Sequence, residues 1–449
     1  MVRLTADFTE KIRPMGKMNG MNNGPLHLYY DAAEEFREMG VDFVRYHETH
    51  FGAGKCIEVP FVFPNFDADE YDENNYYFDQ TDAVIKSAVD SSIEIMYRFG
   101  MGTENALPKI FCVVPKDYAK WARICIQILK HYNDGWANGF HYGIKLCEIW
   151  NEADLYNYWP GEYDEYIKFY CIAAKLMKEY DPTLKIGCSG FAGGIPIKPS
   201  ESAPDNIKEN YRKRYDFFHN YLETVIKTGA PLDFFAWHYY IYNSTDCVRR
   251  LDGVFELLRE YGLENIENIN TEWGPITLHR DSKGEWDLSQ GYTIKSAITC
   301  LASMLVMQNY GTTKAAYYNS EVLSSFCGLY DYDGSKKHTF YSMKAFSMLR
   351  KGEYEYKTNG QTDNIRICAS YNGEKAYVIV TCENEDEEIS LKLCGIDKAR
   401  ISYYLLDKTH DLEFVRRGSF SGRAINLKMS GNSAYLLEIE KQIDVKVVN

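Results

Sequence analysis

Between Lys17 and Asn319, short strand-like runs alternate with longer segments whose apolar residues recur at three- and four-residue spacing, as in Ile124/Ile128 and Phe255/Leu258. The strand-like runs are Lys17–Met21, Val41–His47, Ile93–Phe99, Lys145–Trp150, Lys185–Ser189, Asp233–Tyr239, Asn265–Thr271 and Lys314–Asn319. The helical segments between them are Leu28–Met39, Thr81–Ser91, Asp117–Tyr132, Glu162–Tyr180, Tyr215–Lys227, Cys247–Tyr261 and Tyr292–Gln308, with Phe340–Arg350 after the last strand. Strictly alternating strands and helices build a parallel sheet, and eight such strands are the number that closes it into a barrel. After Lys351 the texture changes to short alternating runs such as Ile365–Cys368, Ala376–Val380, Ile389–Leu393, Ile401–Leu406 and Ala434–Ile439, separated by turn signals at Asn372-Gly373 and Gly431-Asn432. The expected fold is therefore α/β, an eight-stranded (β/α)8 TIM barrel over residues 1–350 followed by a β-sandwich over residues 351–449.

At 449 residues the chain has the length for a barrel with an appended module. The formal net charge of −14 repels phosphate backbones, and no Lys/Arg-rich block offsets it, which argues against nucleic acid as a partner. Twelve cysteines are scattered without a Cys-x-x-Cys pair, and Cys112, Cys125, Cys147 and Cys300 sit in apolar runs, the usage of a reduced protein. The first residues lack an apolar signal core, and the longest apolar run, Ser296–Met307, is too short to span a bilayer. These features lead us to expect a cytoplasmic protein with no membrane association, working on small imported substrates. A homo-oligomer is compatible with the sequence.

Two tryptophan-flanked glutamates carry the chemistry. Glu152 follows the fourth strand in Leu146-Cys147-Glu148-Ile149-Trp150-Asn151-Glu152, and Glu272 ends the seventh in Asn268-Ile269-Asn270-Thr271-Glu272-Trp273-Gly274. Either one alone reads as an ordinary solvated carboxylate. Together they fall at the ends of barrel strands where active sites lie, and a carboxylate pair there can cleave a glycosidic bond: one protonates the leaving oxygen while the other attacks the sugar or activates water. The long loops Thr49–Gln80 and Gly187–Asn210 also follow strand ends, on the same face. His47-Glu48-Thr49-His50 lacks the His-Glu-x-x-His spacing of a helical metal site, and no Gly-x-Gly-x-x-Gly or phosphate loop is present, so neither metal nor cofactor is expected.

Trp150-Asn151-Glu152 and Thr271-Glu272-Trp273 resemble the acid/base and nucleophile motifs of the retaining barrel glycosidases of clan A. Within the clan the chain is most similar to glycoside hydrolase family 39, the β-xylosidase and α-L-iduronidase family. Met18–Pro25, Val44-Arg45-Tyr46-His47, Phe235–Tyr240, Gly328-Leu329-Tyr330 and Lys336–Tyr341 support the likeness, which spans roughly residues 10 to 350. The resemblance implies a retaining exo-glycosidase without cofactor, with Glu152 as general acid/base and Glu272 as nucleophile. It implies that Asn151 bonds the sugar 2-hydroxyl, that Arg45 keeps Glu272 ionised, and that His47, His238 and Tyr240 line the sugar subsite. Trp273, Trp159 and Tyr318 are candidate stacking platforms. A β-D-xyloside is the expected substrate, with arabinosides, galactosides, glucosides and uronides, transglycosylation, and a non-hydrolytic carbohydrate-binding barrel as alternatives. The chain departs from the family pattern at Ala153, at Tyr317-Tyr318-Asn319 and at Arg98, whose guanidinium at the third strand end is a candidate for choosing the substrate or for a rim salt bridge.

Overall fold

The structure, a computed structural model, describes residues 1–51, 54–102, 112–192, 199–275, 291, 293–321, 328–331 and 333–441. Eight parallel strands close a barrel in chain order: Lys17–Asn22, Phe43–Tyr46, Glu94–Phe99, Leu146–Ile149, Lys185–Gly187, Phe234–Tyr240, Glu267–Gly274 and Lys314–Tyr317. The last pairs with both the seventh and the first, matching Tyr317 to Trp273 on one side and to Met21 on the other. We number them one to eight in that order.

Helices Ala33–Met39, Asp79–Asp90, Tyr118–Asn133, Tyr163–Tyr180, Asp205–Thr228, Ser244–Glu260, Ile294–Tyr310 and His338–Arg350 surround the barrel. Their starts carry the expected caps: Asp117, Asn243 and Thr293 each accept a hydrogen bond from the backbone N–H three residues on. The fifth helix starts at Asp205, ten residues before the Tyr215 read from periodicity. Its first turns, Asp205-Asn206-Ile207-Lys208-Glu209-Asn210, are largely exposed, so they lack the apolar stripe that a periodicity reading detects. The seventh, Ile294–Tyr310, is buried nearly all round because the last helix and the second sheet cover the side turned from the barrel. That explains why its sequence resembled a short membrane segment.

The second sheet contains nine strands and corrects the domain boundary. Its C-terminal members run from Tyr354–Asn359 to Ser433–Lys441. The strand Val2–Pro14, assigned to the barrel from sequence, lies inside this sheet, antiparallel to Tyr354–Asn359 and parallel to Glu387–Cys394. The physical reason is its period-two pattern: Leu4, Ala6 and Phe8 are buried while Arg3, Thr5 and Asp7 face away from that core. Leu4, Ile389, Ile401, Leu427 and Ile439, from strands spread along the sheet, share one core, so the sheet folds over itself as a sandwich. Parity sorts the strand Lys375–Cys382 between two cores: Val378 and Val380 pack inside the sandwich, whereas Tyr377 and Ile379 pack against the barrel layer.

Candidate active site

Arg45, on the second strand, lies at the centre of the barrel mouth and is wholly buried. Its Nε donates to Glu148 Oε2 at 2.6 Å, Nη1 to Asn22 Oδ1 at 3.0 Å and to Glu272 Oε2 at 3.2 Å, and Nη2 to Asn151 Oδ1 at 2.7 Å. Burial works against this guanidinium's charge, but the carboxylates of Glu148 and Glu272 outweigh it and its pKa is raised. A planar donor fork held by four partners has one orientation. Asn22 is fixed in turn, its amide donating to the carbonyls of Thr271 and Ala316.

Glu272 lies near the end of the seventh strand with both oxygens engaged. Tyr240 OH donates to Oε1 at 2.5 Å and Arg45 serves Oε2. Burial, and then the charge of Glu272, push the Tyr240 phenol well above its usual range, so it remains protonated and donates. Two charge-assisted or short donors on one carboxylate favour its ionised form.

Glu152 is held differently. Its backbone lies in the left-handed region at φ 45°, as does that of Trp150 at φ 74°, conformations a non-glycine residue adopts only where its surroundings impose them. The constraints are visible: Trp150 N–H donates to the Phe99 carbonyl on the third strand, and Glu152 N–H to the Ser189 carbonyl beyond the fifth, both at 2.7 Å. His238 Nδ1 lies 2.8 Å from Glu152 Oε1 and 3.6 Å from Glu272 Oε2. Burial, and then the positive charges of Arg45 and Arg98, hold the imidazole well below its usual pKa, leaving it neutral at pH 7. Gly190, at φ +58°, completes this wall, since a Cβ there would collide with His238 Nε2.

Atoms of Glu152, His238 and Glu272 thus lie within 4.8 Å of one another. Among the described residues this is the only group close enough to hold a cation, and Arg45 opposes one by placing a fixed positive charge beside Glu272. The two glutamates keep only 8% and 6% of their surface exposed, at the end of the barrel onto which the loops after each strand open.

The sequence-selected residues separate into two groups. Arg45, Asn151, Glu152, His238, Tyr240 and Glu272 are joined by the contacts above. His47 lies at the end of the second strand, with its ring edge-on to Tyr318 at 6.0 Å and its backbone N–H donating to Asn23 Oδ1. Trp159 and Trp273 lie elsewhere. Trp159 is fully buried, with Trp150, Tyr166 and Phe169 against it and its indole N–H bonded to the Glu162 carbonyl, so no ring face is left for a sugar. Trp273 is paired with Tyr239, whose hydroxyl bonds Asp246 of the following helix; strand parity turns both side chains away from the barrel interior. Arg98 is inside the barrel rather than on its rim: it is in register with Glu148, wholly buried, and 3.7 Å from Glu58 Oε1.

The residues missed from sequence are Glu148, Thr271, Asn22 and Gly190. Glu148 was the one with a readable signal. It is a charge between Cys147 and Ile149 in a strand buried throughout, and a carboxylate in that setting requires a cation nearby.

Residues 37–354 match the sequence profile of the glycosyl hydrolases of family 39. The chain belongs to that family. The family 39 chain is 20% identical over 444 residues to a beta-xylosidase of Caldicellulosiruptor saccharolyticus, covering 89% of this chain and 84% of that one. It is 28% identical over 131 residues to a beta-xylosidase of Geobacillus stearothermophilus, a stretch that spans about a quarter of that protein. The fold is shared with a glucosidase from Croceicoccus marinus at a TM-score of 0.75 and 18% identity, over 99% of this chain and 100% of that one.

Proposed function

We propose that the protein is a retaining exo-glycosidase acting by double displacement on small glycosides, with a β-D-xyloside as substrate. The observation that carries this reading is the asymmetric pair: Glu272 held by two fixed donors, and Glu152 facing a neutral imidazole less than 5 Å away. A separation of about 5–5.5 Å between carboxyl groups leaves no room for a water between the second carboxylate and the anomeric carbon, as inversion would require.

In the first step Glu152 gives its proton to the glycosidic oxygen as that bond breaks, and Glu272 Oε forms a bond to the anomeric carbon. In the second, Glu152 takes a proton from water as the water oxygen displaces Glu272, returning both groups to their starting states. Asn151 supports the transition state. Arg45 bonds its amide oxygen, so the NH2 is turned away from Arg45, and that nitrogen has no acceptor among the described residues; it is the donor for a sugar 2-hydroxyl. The xyloside assignment rests on the two beta-xylosidases to which the chain is similar. We propose a reducing, cytoplasmic location, in keeping with the eleven described cysteines, all of them free.

The test is hydrolysis of a panel of aryl glycosides followed by proton NMR of the first-formed sugar. We expect β-xylosides to be cleaved fastest, with the β-anomer appearing first. Initial release of the α-anomer would end the double-displacement reading, and a stronger preference for another sugar would end the xyloside assignment.

A further inference from the structure

Glu148 takes no part in the steps above, yet it is as deeply buried as Arg45 and makes that residue's shortest contact. Its other oxygen accepts from Thr271 Oγ1 at 2.8 Å, so the carboxylate is clamped between the second and seventh strands, next to Glu272 in sequence through Thr271. Arg45 therefore divides one positive charge between two carboxylates, 2.6 Å from one and 3.2 Å from the other.

We propose that Glu148 is a positioning residue for the nucleophile: it holds Arg45 and draws off part of its charge, so that Glu272 is ionised but not neutralised. This role rests on Glu272 being the nucleophile. A carboxylate in a tight bidentate pair with an arginine is a poor nucleophile because the charge it would donate is already engaged. A single Arg45 contact at 3.2 Å, with Nε committed to Glu148, avoids that pairing while keeping Glu272 in place. Among the described residues, Tyr240 and His238 from the sixth strand and Glu152 after the fourth also face Glu272. Tyr240 and His238 are uncharged at pH 7, and Arg45 is a cation that Glu148 and Glu272 both contact.

Glu148→Gln keeps the volume and removes the charge, while Glu148→Asp keeps the charge and shortens the reach. Carbon-13 NMR of the Glu272 carboxyl in the free protein reads its titration directly. We expect the midpoint in Glu148→Gln to fall by about one pH unit and that in Glu148→Asp to stay near wild type. Turnover of an activated aryl xyloside should drop by up to about tenfold in Glu148→Gln, the rate equivalent of that shift, with KM little changed. An unmoved midpoint in Glu148→Gln, or equal shifts in both variants, would overturn the proposal and reduce Glu148 to a packing role. Because the titration needs no turnover, a shifted midpoint in a protein that cleaves no aryl glycoside would support the Glu148–Arg45 hold while retiring the glycosidase reading.

Discussion

The two glutamates differ in what surrounds them rather than in what they are. Glu272 meets a fixed cation and a phenol; Glu152 meets a neutral imidazole. Removing Glu272, the proposed nucleophile, should therefore abolish the reaction without disturbing the barrel. Glu272→Ala is expected to lose roughly 10³-fold or more in turnover with unchanged circular dichroism, and azide should restore activity while giving the opposite anomer. Turnover near wild type would eliminate this residue's role. Glu152→Gln should slow substrates with poor leaving groups far more than activated aryl glycosides, whose departure needs little protonation; equal losses across leaving groups would assign Glu152 elsewhere. Gly190 gives a subtler test. Gly190→Ala pushes on His238 and, less severely, on Thr271 Oγ1, and places a Cβ at positive φ, so kcat should fall, and unaltered kinetics would show that His238 does not need its position. The two carboxylates that meet at the barrel mouth were legible because barrel chemistry sits at strand ends, and motif spacing locates those ends. Their supports were not: Gly190 matters through a collision that only the folded chain brings about. Trp159 and Trp273 were read as platforms because a tryptophan close in sequence to a candidate glutamate carries no sign of which face of the strand or loop it takes.

At the level of elements, all eight barrel strands were readable, and so were most helices, because strands buried on both faces and amphipathic helices differ in period. The failures came where that contrast disappears. The first turns of Asp205–Thr228 extend past the apolar layer and have no stripe to detect. Val2–Pro14 alternates plainly, but its partners lie more than 300 residues away, and nothing local tells a barrel-leading segment from a sandwich strand. That strand is interior to its sheet, so its core residues should be as costly to lose as any in the C-terminal module. Leu4→Ala is expected to destabilise the protein by about 2–5 kcal/mol, read as a lowered calorimetric transition, with kcat unchanged in the folded fraction. A variant as stable as wild type would place the strand outside the cooperative sandwich core.

For the whole molecule, the question is what couples a carbohydrate barrel to a sandwich that supplies none of the site residues described above. A buried carboxylate lies at that seam. Glu383, just after a sandwich strand, accepts from Ser244 N–H at 3.1 Å and from Thr299 Oγ1 at 3.3 Å, and Ser244 Oγ also donates to it. Ser244 opens one barrel helix and Thr299 lies within another, while Arg366 of the sandwich donates to Ser244 Oγ at 2.7 Å. One acid thus ties two barrel helices to the sheet. Burial raises the Glu383 pKa above its usual range, against the pull of these donors and of Arg366. A carboxyl whose pKa is higher folded than unfolded binds protons more readily in the native state. Its contribution is therefore fully present below the unfolded value of 4.5 and is lost as pH rises through the folded one. Replacing it should strand Ser244 and Thr299 without acceptors, at a cost of roughly 1–3 kcal/mol. Glu383→Ala is accordingly expected to lower the melting temperature more at pH 4 than at pH 8, with kcat intact, because wild type itself has lost part of this advantage at the higher pH. A larger deficit at pH 8 would reverse the sign and mean that Glu383 works as a charge paired with Arg366 rather than as a buried hydrogen-bonding hub between the two layers.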